Sequence, residues 1–185
     1  AGSNLQLPSK IVLVKNPINP DLDLWIGAIE RFHKVGIKNL GAIHRGFSSY
    51  KKTKYRNNPQ WQIPIDLKNK YPNLPIICDP SHICGERDGI FEVSQTALDL
   101  TFDGLMIETH FDPDNAWSDA KQQITPARLN EITEELKVRK NNVEEVDSIE
   151  RLNELRQEIN LLDKKLIEIL IERMEVVENI GQVKK

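Results

Sequence analysis

Five residues, Lys15, Arg45, His82, Glu108 and Asp119, follow or end apolar runs of the chain, and their types suit the handling of an anion and a cation. Arg grips phosphate or carboxylate oxygens with a forked pair of donors, whereas Lys acts as a point charge, so Lys15 and Arg45 at neighbouring positions suit an anionic substrate. Their other reading is ion pairing with nearby acids. His82, Glu108 and Asp119 together make a mixed nitrogen and oxygen donor set of the kind that takes a borderline divalent metal such as Mn, Fe, Co or Zn. Taken singly each is weak, since a histidine after a strand commonly serves as a loop hydrogen-bonder. Convergence on one rim is what gives the set weight.

That rim follows from the pattern of the chain. The runs IVLVKN, NLGAIH, LPIICD and DGLMIET read as strands, separated by helical stretches DLDLWIGAIERFHKV, PIDLKNKY, IFEVSQTALDL and one opened by Thr125-Pro126. Asn19-Pro20 reads as the cap and first residue of the first helix, and Gly36 as its stop. DPSHICGERDG reads as a turn. Nearly continuous apolar strands between helices imply a parallel α/β sheet buried on both faces. In such sheets the reactive groups gather at the carboxyl ends of the strands. Standing there are Lys15 and Asn16, then His44, Arg45 and Gly46, then Asp79, Ser81 and His82, then Glu108 and His110, with Asp119 farther along the last loop.

Bulk properties narrow the class. A chain of 185 residues holds one core, or one core and a small helical module. Its net charge of -3 offers no nucleic-acid or anionic-membrane surface, so an anionic ligand must be caught by local cations. No apolar run approaches the ~20 residues of a membrane span, and AGSNLQLPSK lacks the apolar centre of a secretory signal. A cytoplasmic protein is expected, with Cys78 and Cys84 reduced. The chain opens without Met just ahead of a strand, as a fragment of something longer would.

The stretches LVKNP, HRG, DPSH, DGLMIETH and WSDAKQQ, in this order, resemble the second half of the barrel of the 3-deoxy-D-arabino-heptulosonate-7-phosphate (DAHP) synthase family, in the subtype akin to the 8-phosphate sugar synthases. The resemblance implies the C-terminal half of a TIM (β/α)8 barrel and the condensation of phosphoenolpyruvate with erythrose 4-phosphate in aromatic amino-acid synthesis. It implies a divalent metal (Mn, Fe, Co or Zn) held by His82, Glu108 and Asp119, with Lys15 and Arg45 on phosphoenolpyruvate. It gives Asp119 a substrate contact as well, and casts Lys15, Arg45 and His82 as the catalytic group. The family's fourth ligand, a cysteine on an early strand, and its Lys-Pro-Arg-Thr-Ser segment have no counterpart in the sequence, so the chain alone is not expected to turn over substrate.

After residue 140 the composition changes. RKNNVEEVDS reads as a linker, with Asp147 and Glu150 as a capping box opening a long helix whose Leu152, Leu155, Ile159, Leu162, Leu166, Ile169, Met174, Val177 and Ile180 form an apolar stripe. ELRQEINLLDKKLIEILIERMEVVENIGQVKK resembles the first helix of the all-α chorismate mutase family. That resemblance implies that Arg156, Arg173 and Lys184 bind chorismate, which rearranges to prephenate, and that the helix pairs with a second copy in a homo-oligomer, a dimer through this helix. At about 100° per residue Arg173 and Lys184 share a helix face, while Arg156 lies roughly a quarter turn away. The organisation expected is a partial barrel over 1–140, a linker over 141–148 and a partial mutase domain over 149–185. Two other readings remain: a sugar 8-phosphate synthase barrel, and a catalytically incomplete piece that binds chorismate-like diacids or serves only in oligomerisation.

Overall fold

The computed structural model describes residues 11–138 and 146–184, the side chains of the second stretch from Glu150 onward. It divides into two units, residues 1–139 and 140–185. In the first unit, β1 (Val12–Lys15), β2 (Leu40–His44), β3 (Ile76–Cys78) and β4 (Gly104–Leu105) form one parallel sheet in the order β1-β2-β3-β4. Helices α1 (Leu22–Lys34), α2 (Gln62–Lys70), α3 (Pro80–Cys84) and α4 (Ile90–Asp99) fall between the strands, and α5 (Pro126–Glu135) follows β4.

Helices α1, α3 and α5 start where a side chain supplies an acceptor. Asp21 caps α1, its Oδ1 accepting from Leu24 N at 3.0 Å. The cap is therefore two residues beyond the expected Asn19; Asn19-Pro20 instead makes a turn in which Asn19 O accepts from Asp21 N. Thr125 caps α5, as its Thr-Pro pair implied, accepting from Arg128 N. The stretch expected to be a plain turn contains α3. Asp79 caps it, Pro80 supplies its first residue, and Gly85 in the left-handed region (φ 71°) closes it.

The core lies where one face of the sheet meets the helices. Val14, Ala42, Ile76 and Cys78 from the strands pack with Trp25, Ile26 and Ile29 of α1, Leu67 of α2 and Val93 and Ala97 of α4. Val14, Ala42 and Ile76 are successive register partners, so the row crosses three strands. Burial of each large side chain stabilises the fold by roughly 1.5–3 kcal/mol. The alternate residues of β1, Leu13 and Lys15, are exposed. Continuous burial was expected and holds for β2, buried from Gly41 to His44, but edge strand β1 alternates despite its unbroken hydropathy.

The polar loop after β2 is pinned close to α3. Phe47 and Asn58 exchange backbone hydrogen bonds, Asn57 N donates to Ile83 O, and Asn57 Nδ2 donates to His82 O at 2.7 Å. Gly46 makes the approach possible, because its φ is 76° and a Cβ there would lie 2.6 Å from Asn57 O. Gly46→Ala is expected to destabilise the unit by about 2 kcal/mol or more, read as a lower denaturant midpoint at unchanged slope. An unchanged midpoint would show that the loop gives way.

The second unit contains α6 (Val146–Val183), one unbroken helix with every side chain from Glu150 to Lys184 exposed. It is already under way at Val146, ahead of Asp147, the residue expected to cap it; the linker positions 139–145 lie outside the described residues. Among the described residues no helix is long and apolar enough to cross a membrane.

Candidate functional site

The parallel register brings the strand ends to one rim. Lys15 pairs with Ile43, His44 with Cys78 and Cys78 with Leu105, so residues 15, 45, 79 and 108 all stand at the same edge of the sheet. Two bonds extend the ladder past its last strand residues, Asn16 N to Ile43 O and Asp79 N to His44 O. Asn16 then fastens two loops together, its Oδ1 accepting from Arg45 N at 2.7 Å and its Nδ2 donating to Gly46 O at 2.8 Å.

Asp79, with 1% of its side chain exposed, is the centre of the rim. Its Oδ1 accepts from His82 N at 3.0 Å, and its Oδ2 lies 3.2 Å from Lys15 Nζ and 2.8 Å from His82 Nδ1. His82 Nδ1 also lies 3.4 Å from Glu108 Oε1. Neither close contact has the direction of a hydrogen bond, and Nδ1 is buried with no hydrogen-bond partner. Glu108 is held from its backbone: its N–H donates to Ser81 Oγ at 3.0 Å and its carbonyl accepts from Ile124 N at 3.1 Å. Arg45 brings an unmet donor of its own, since its Nε is buried without a hydrogen-bond partner.

Asp119 stands apart from His82 and Glu108 and is joined to them through other residues. Its backbone is left-handed, with φ at 52°, a conformation that aspartate tolerates better than most. Its Oδ1 lies 3.6 Å from Arg56 Nη1, which donates to Gln122 Oε1 at 2.9 Å, while Gln122 Nε2 donates to Glu108 Oε2 at 2.8 Å. Among the described residues, no three His, Cys, Asp or Glu side chains are grouped so as to hold a metal ion. His82 and Glu108 could take a divalent cation, because the imidazole Nδ1 makes no hydrogen bond and lies between Asp79 Oδ2 at 2.8 Å and Glu108 Oε1 at 3.4 Å. Asp119, the third residue expected there, is engaged by Arg56. The sequence offered no signal for Arg56, which sits in a lysine-rich loop, or for the bond between Gln122 and Glu108, although Gln122 lies in the stretch WSDAKQQ.

Other strand-end candidates have structural work. His110 stacks on Phe111 with ring centroids 4.5 Å apart, and its Nδ1 accepts from Asp112 N. Cys84 is a free, buried thiol pushed up to about 12, by burial first and then by the Glu86 and Glu92 carboxylates, which keeps it protonated. His44 points into the core among Trp25, Phe47, Trp61 and Phe102, with ring centroids 5.3–6.4 Å away.

Burial drives His44 from 6.5 down to about 3, the Pro59 carbonyl offsetting only part of this, and neither ring nitrogen makes a well-directed hydrogen bond. A pKa lowered by folding means that the unfolded chain takes up the proton first, so stability is full above 6.5 and drains away as pH falls toward 3. By pH 5 the loss from this group is about 2 kcal/mol, and His44→Gln should remove that part of the slope. Denaturant midpoints of both proteins at about pH 7 and pH 5 test this, and equal slopes would refute it.

On α6, Arg156, Arg173 and Lys184 are all exposed, and Arg156 Nη1 lies 3.5 Å from Asn153 Oδ1. Lys184 follows the last residue of the helix and still donates from its backbone to Ile180 O. At about 100° per residue, positions eleven apart return to within about 20° of each other, so Arg173 and Lys184 fall on one side of the helical wheel and Arg156 on another.

Comparison with known proteins identifies the first unit. The curated phospho-2-dehydro-3-deoxyheptonate aldolase of Thermotoga maritima is 28% identical over 129 residues, covering 70% of this chain and 38% of that protein. A truncated form of 3-deoxy-D-arabino-heptulosonate 7-phosphate synthase from Thermotoga maritima superposes with a TM-score of 0.63 at 28% identity, over 69% of this chain and 48% of that one. The crystal structure of phospho-2-dehydro-3-deoxyheptonate aldolase (DAHP synthase) from the same organism gives 0.64 at 28% identity, over 69% and 37%. The chain thus spans well under two thirds of the length of each. The family model of the DAHP synthetase I family matches residues 6–145, ending one residue before α6. With that match running through all four strands and the whole rim, the chain belongs to the DAHP synthetase I family.

Proposed function

We propose that the first unit serves a DAHP synthase, condensing phosphoenolpyruvate with erythrose 4-phosphate, and that it contributes the cation donors and two of the anion contacts. One observation carries this reading: a buried imidazole nitrogen without a hydrogen bond, His82 Nδ1, faces Glu108 at 3.4 Å on a rim that also bears Lys15. His82 and Glu108 would hold a divalent cation, with Asp119 completing the set on leaving Arg56. When bound, the cation supplies Lewis acidity toward the aldehyde carbonyl. Lys15 and Arg45 hold the phosphate or carboxylate of the enolpyruvyl group, and Arg45 brings an unsatisfied Nε to that contact. Asp79 keeps Lys15 and His82 in place.

Calorimetric titration of the chain with Mn, followed by assay of phosphoenolpyruvate consumption by the full-length protein, tests the reading. Consumption that depends on erythrose 4-phosphate and on Mn supports it. Absence of Mn binding, or a preference for arabinose 5-phosphate, overturns it, the latter in favour of an 8-phosphate sugar synthase.

We also propose that α6 opens a chorismate mutase domain, so that a partial barrel over 1–140 and a helical module beginning with α6 form a bifunctional chain, the expected linker over 141–148 ending instead before Val146. Supporting this are an unbroken helix, Arg173 and Lys184 on one face, and an exposed apolar stripe that includes Leu162, Leu166, Ile169 and Met174, suited to a second copy. Fixed cations would restrain the chorismate diacid and favour charge developing at its ether oxygen. Conversion of chorismate to prephenate by the full-length protein, lost in Arg173→Ala, is the result expected. No conversion and no binding of either diacid would sink this second activity.

A further inference from the structure

Gln122 is buried, with 1% exposure, and it touches every member of the rim's outer network. Its backbone N–H closes the turn on Asp119 O at 3.0 Å, the turn in which Asp119 takes its left-handed conformation. Its side-chain amide bridges Arg56 and Glu108, accepting from Nη1 at 2.9 Å and donating to Oε2 at 2.8 Å. A primary amide has two faces, one donor and one acceptor. Flipped over, this one would set NH2 against guanidinium N–H and carbonyl oxygen against carboxylate, so Arg56 fixes which way it points. With Oε2 engaged by Gln122, the oxygen of Glu108 turned toward His82 is Oε1.

We infer that Gln122 is a positioning residue: oriented by Arg56, it holds Glu108 so that Oε1 is presented beside His82 Nδ1 to an incoming divalent cation. The inference rests on the reading of His82 and Glu108 as cation donors. Residues that orient ligands in this way typically change metal affinity by about 10- to 100-fold.

Two substitutions test it in the full chain, with Mn and Co as the probes. Gln122→Leu keeps similar volume and removes both bonds. Gln122→Glu keeps the acceptor for Arg56 but sets an oxygen against Glu108. Both are expected to weaken Mn binding by about 10- to 100-fold in calorimetry and to alter the visible absorption of bound Co, with the metal-free circular dichroism unchanged. Should the leucine variant not fold, the glutamate variant decides, because it retains the size and the Arg56 contact. Wild-type Mn affinity and an unaltered Co spectrum in a folded variant overturn the inference. His82→Ala separates the two levels: if it abolishes Mn binding while the Gln122 variants bind normally, only the positioning role fails. If it leaves Mn binding intact, the donor reading fails and the inference with it.

Discussion

His82→Ala is expected to abolish Mn binding and to lower the condensation rate of the full-length protein by at least about 100-fold, with little change in stability. The size follows from the several kcal/mol that a Lewis-acid cation supplies, at 1.36 kcal/mol per tenfold of rate. The clean separation from folding follows from how the residue is held. The α3 cap uses the backbone N–H of residue 82, and Asn57 Nδ2 binds its backbone carbonyl, so alanine keeps both bonds. What disappears is an imidazole whose Nδ1 makes no hydrogen bond within the described residues. Its contacts with Asp79 Oδ2 at 2.8 Å and Glu108 Oε1 at 3.4 Å are not hydrogen bonds, so the main effect of its removal should register in ligand binding. Matched measurements of Mn affinity, turnover and denaturant midpoint check this. Normal turnover in a folded variant would refute the assignment of the rim.

The meeting of His82 with Glu108 was legible in the sequence because strand ends in a parallel sheet share one edge. Apolar runs and caps place the elements to within a few residues: Thr125-Pro126 opens α5 and Gly36, at φ 90°, follows α1, while the cap of α1 is Asp21 and not Asn19. Single-residue matters were not legible. His44 and Arg45 are adjacent, and strand parity turns the first into the aromatic core while the second follows at the rim. DGLMIET reads as a seven-residue strand, but β3 offers only Ile76–Cys78 as a neighbour, so the ladder holds Gly104 and Leu105, and Met106 adds a last bond to Cys78 O. Asp119 was expected beside His82 because residue type suggests a ligand. Spacing carries no trace of Arg56, 63 positions earlier, competing for that carboxylate. Pairings between side chains of distant loops depend on the loop path, and no periodicity encodes them.

Asp79→Ala is expected to lower the stability of the first unit by about 2 kcal/mol. Two contributions add. The α3 cap disappears, typically about 1 kcal/mol. The remainder comes from the charge-assisted bond between Lys15 Nζ, at 3.2 Å, and a carboxylate that is only 1% exposed. The Lys15 part is discounted, because that side chain is 43% exposed and water takes over once the carboxylate has gone. Asp79→Asn divides the sum. Its carbonyl oxygen can still cap α3, but the NH2 then faces the Lys15 ammonium, so the variant should keep the cap and lose the charge, for a total of roughly half as much. Urea unfolding of both variants at neutral pH measures the difference. If alanine and asparagine lower the midpoint equally, the cap contributes nothing and the ion contacts decide; a loss below about 1 kcal/mol for alanine would show that the rim stands without its buried carboxylate. The expected order also separates folding from function, since asparagine should preserve α3 and the place of His82 along the chain while releasing Lys15. A variant that is stable yet poor in phosphoenolpyruvate binding would then trace the anion contact to the orientation of Lys15, and thereby to Asp79.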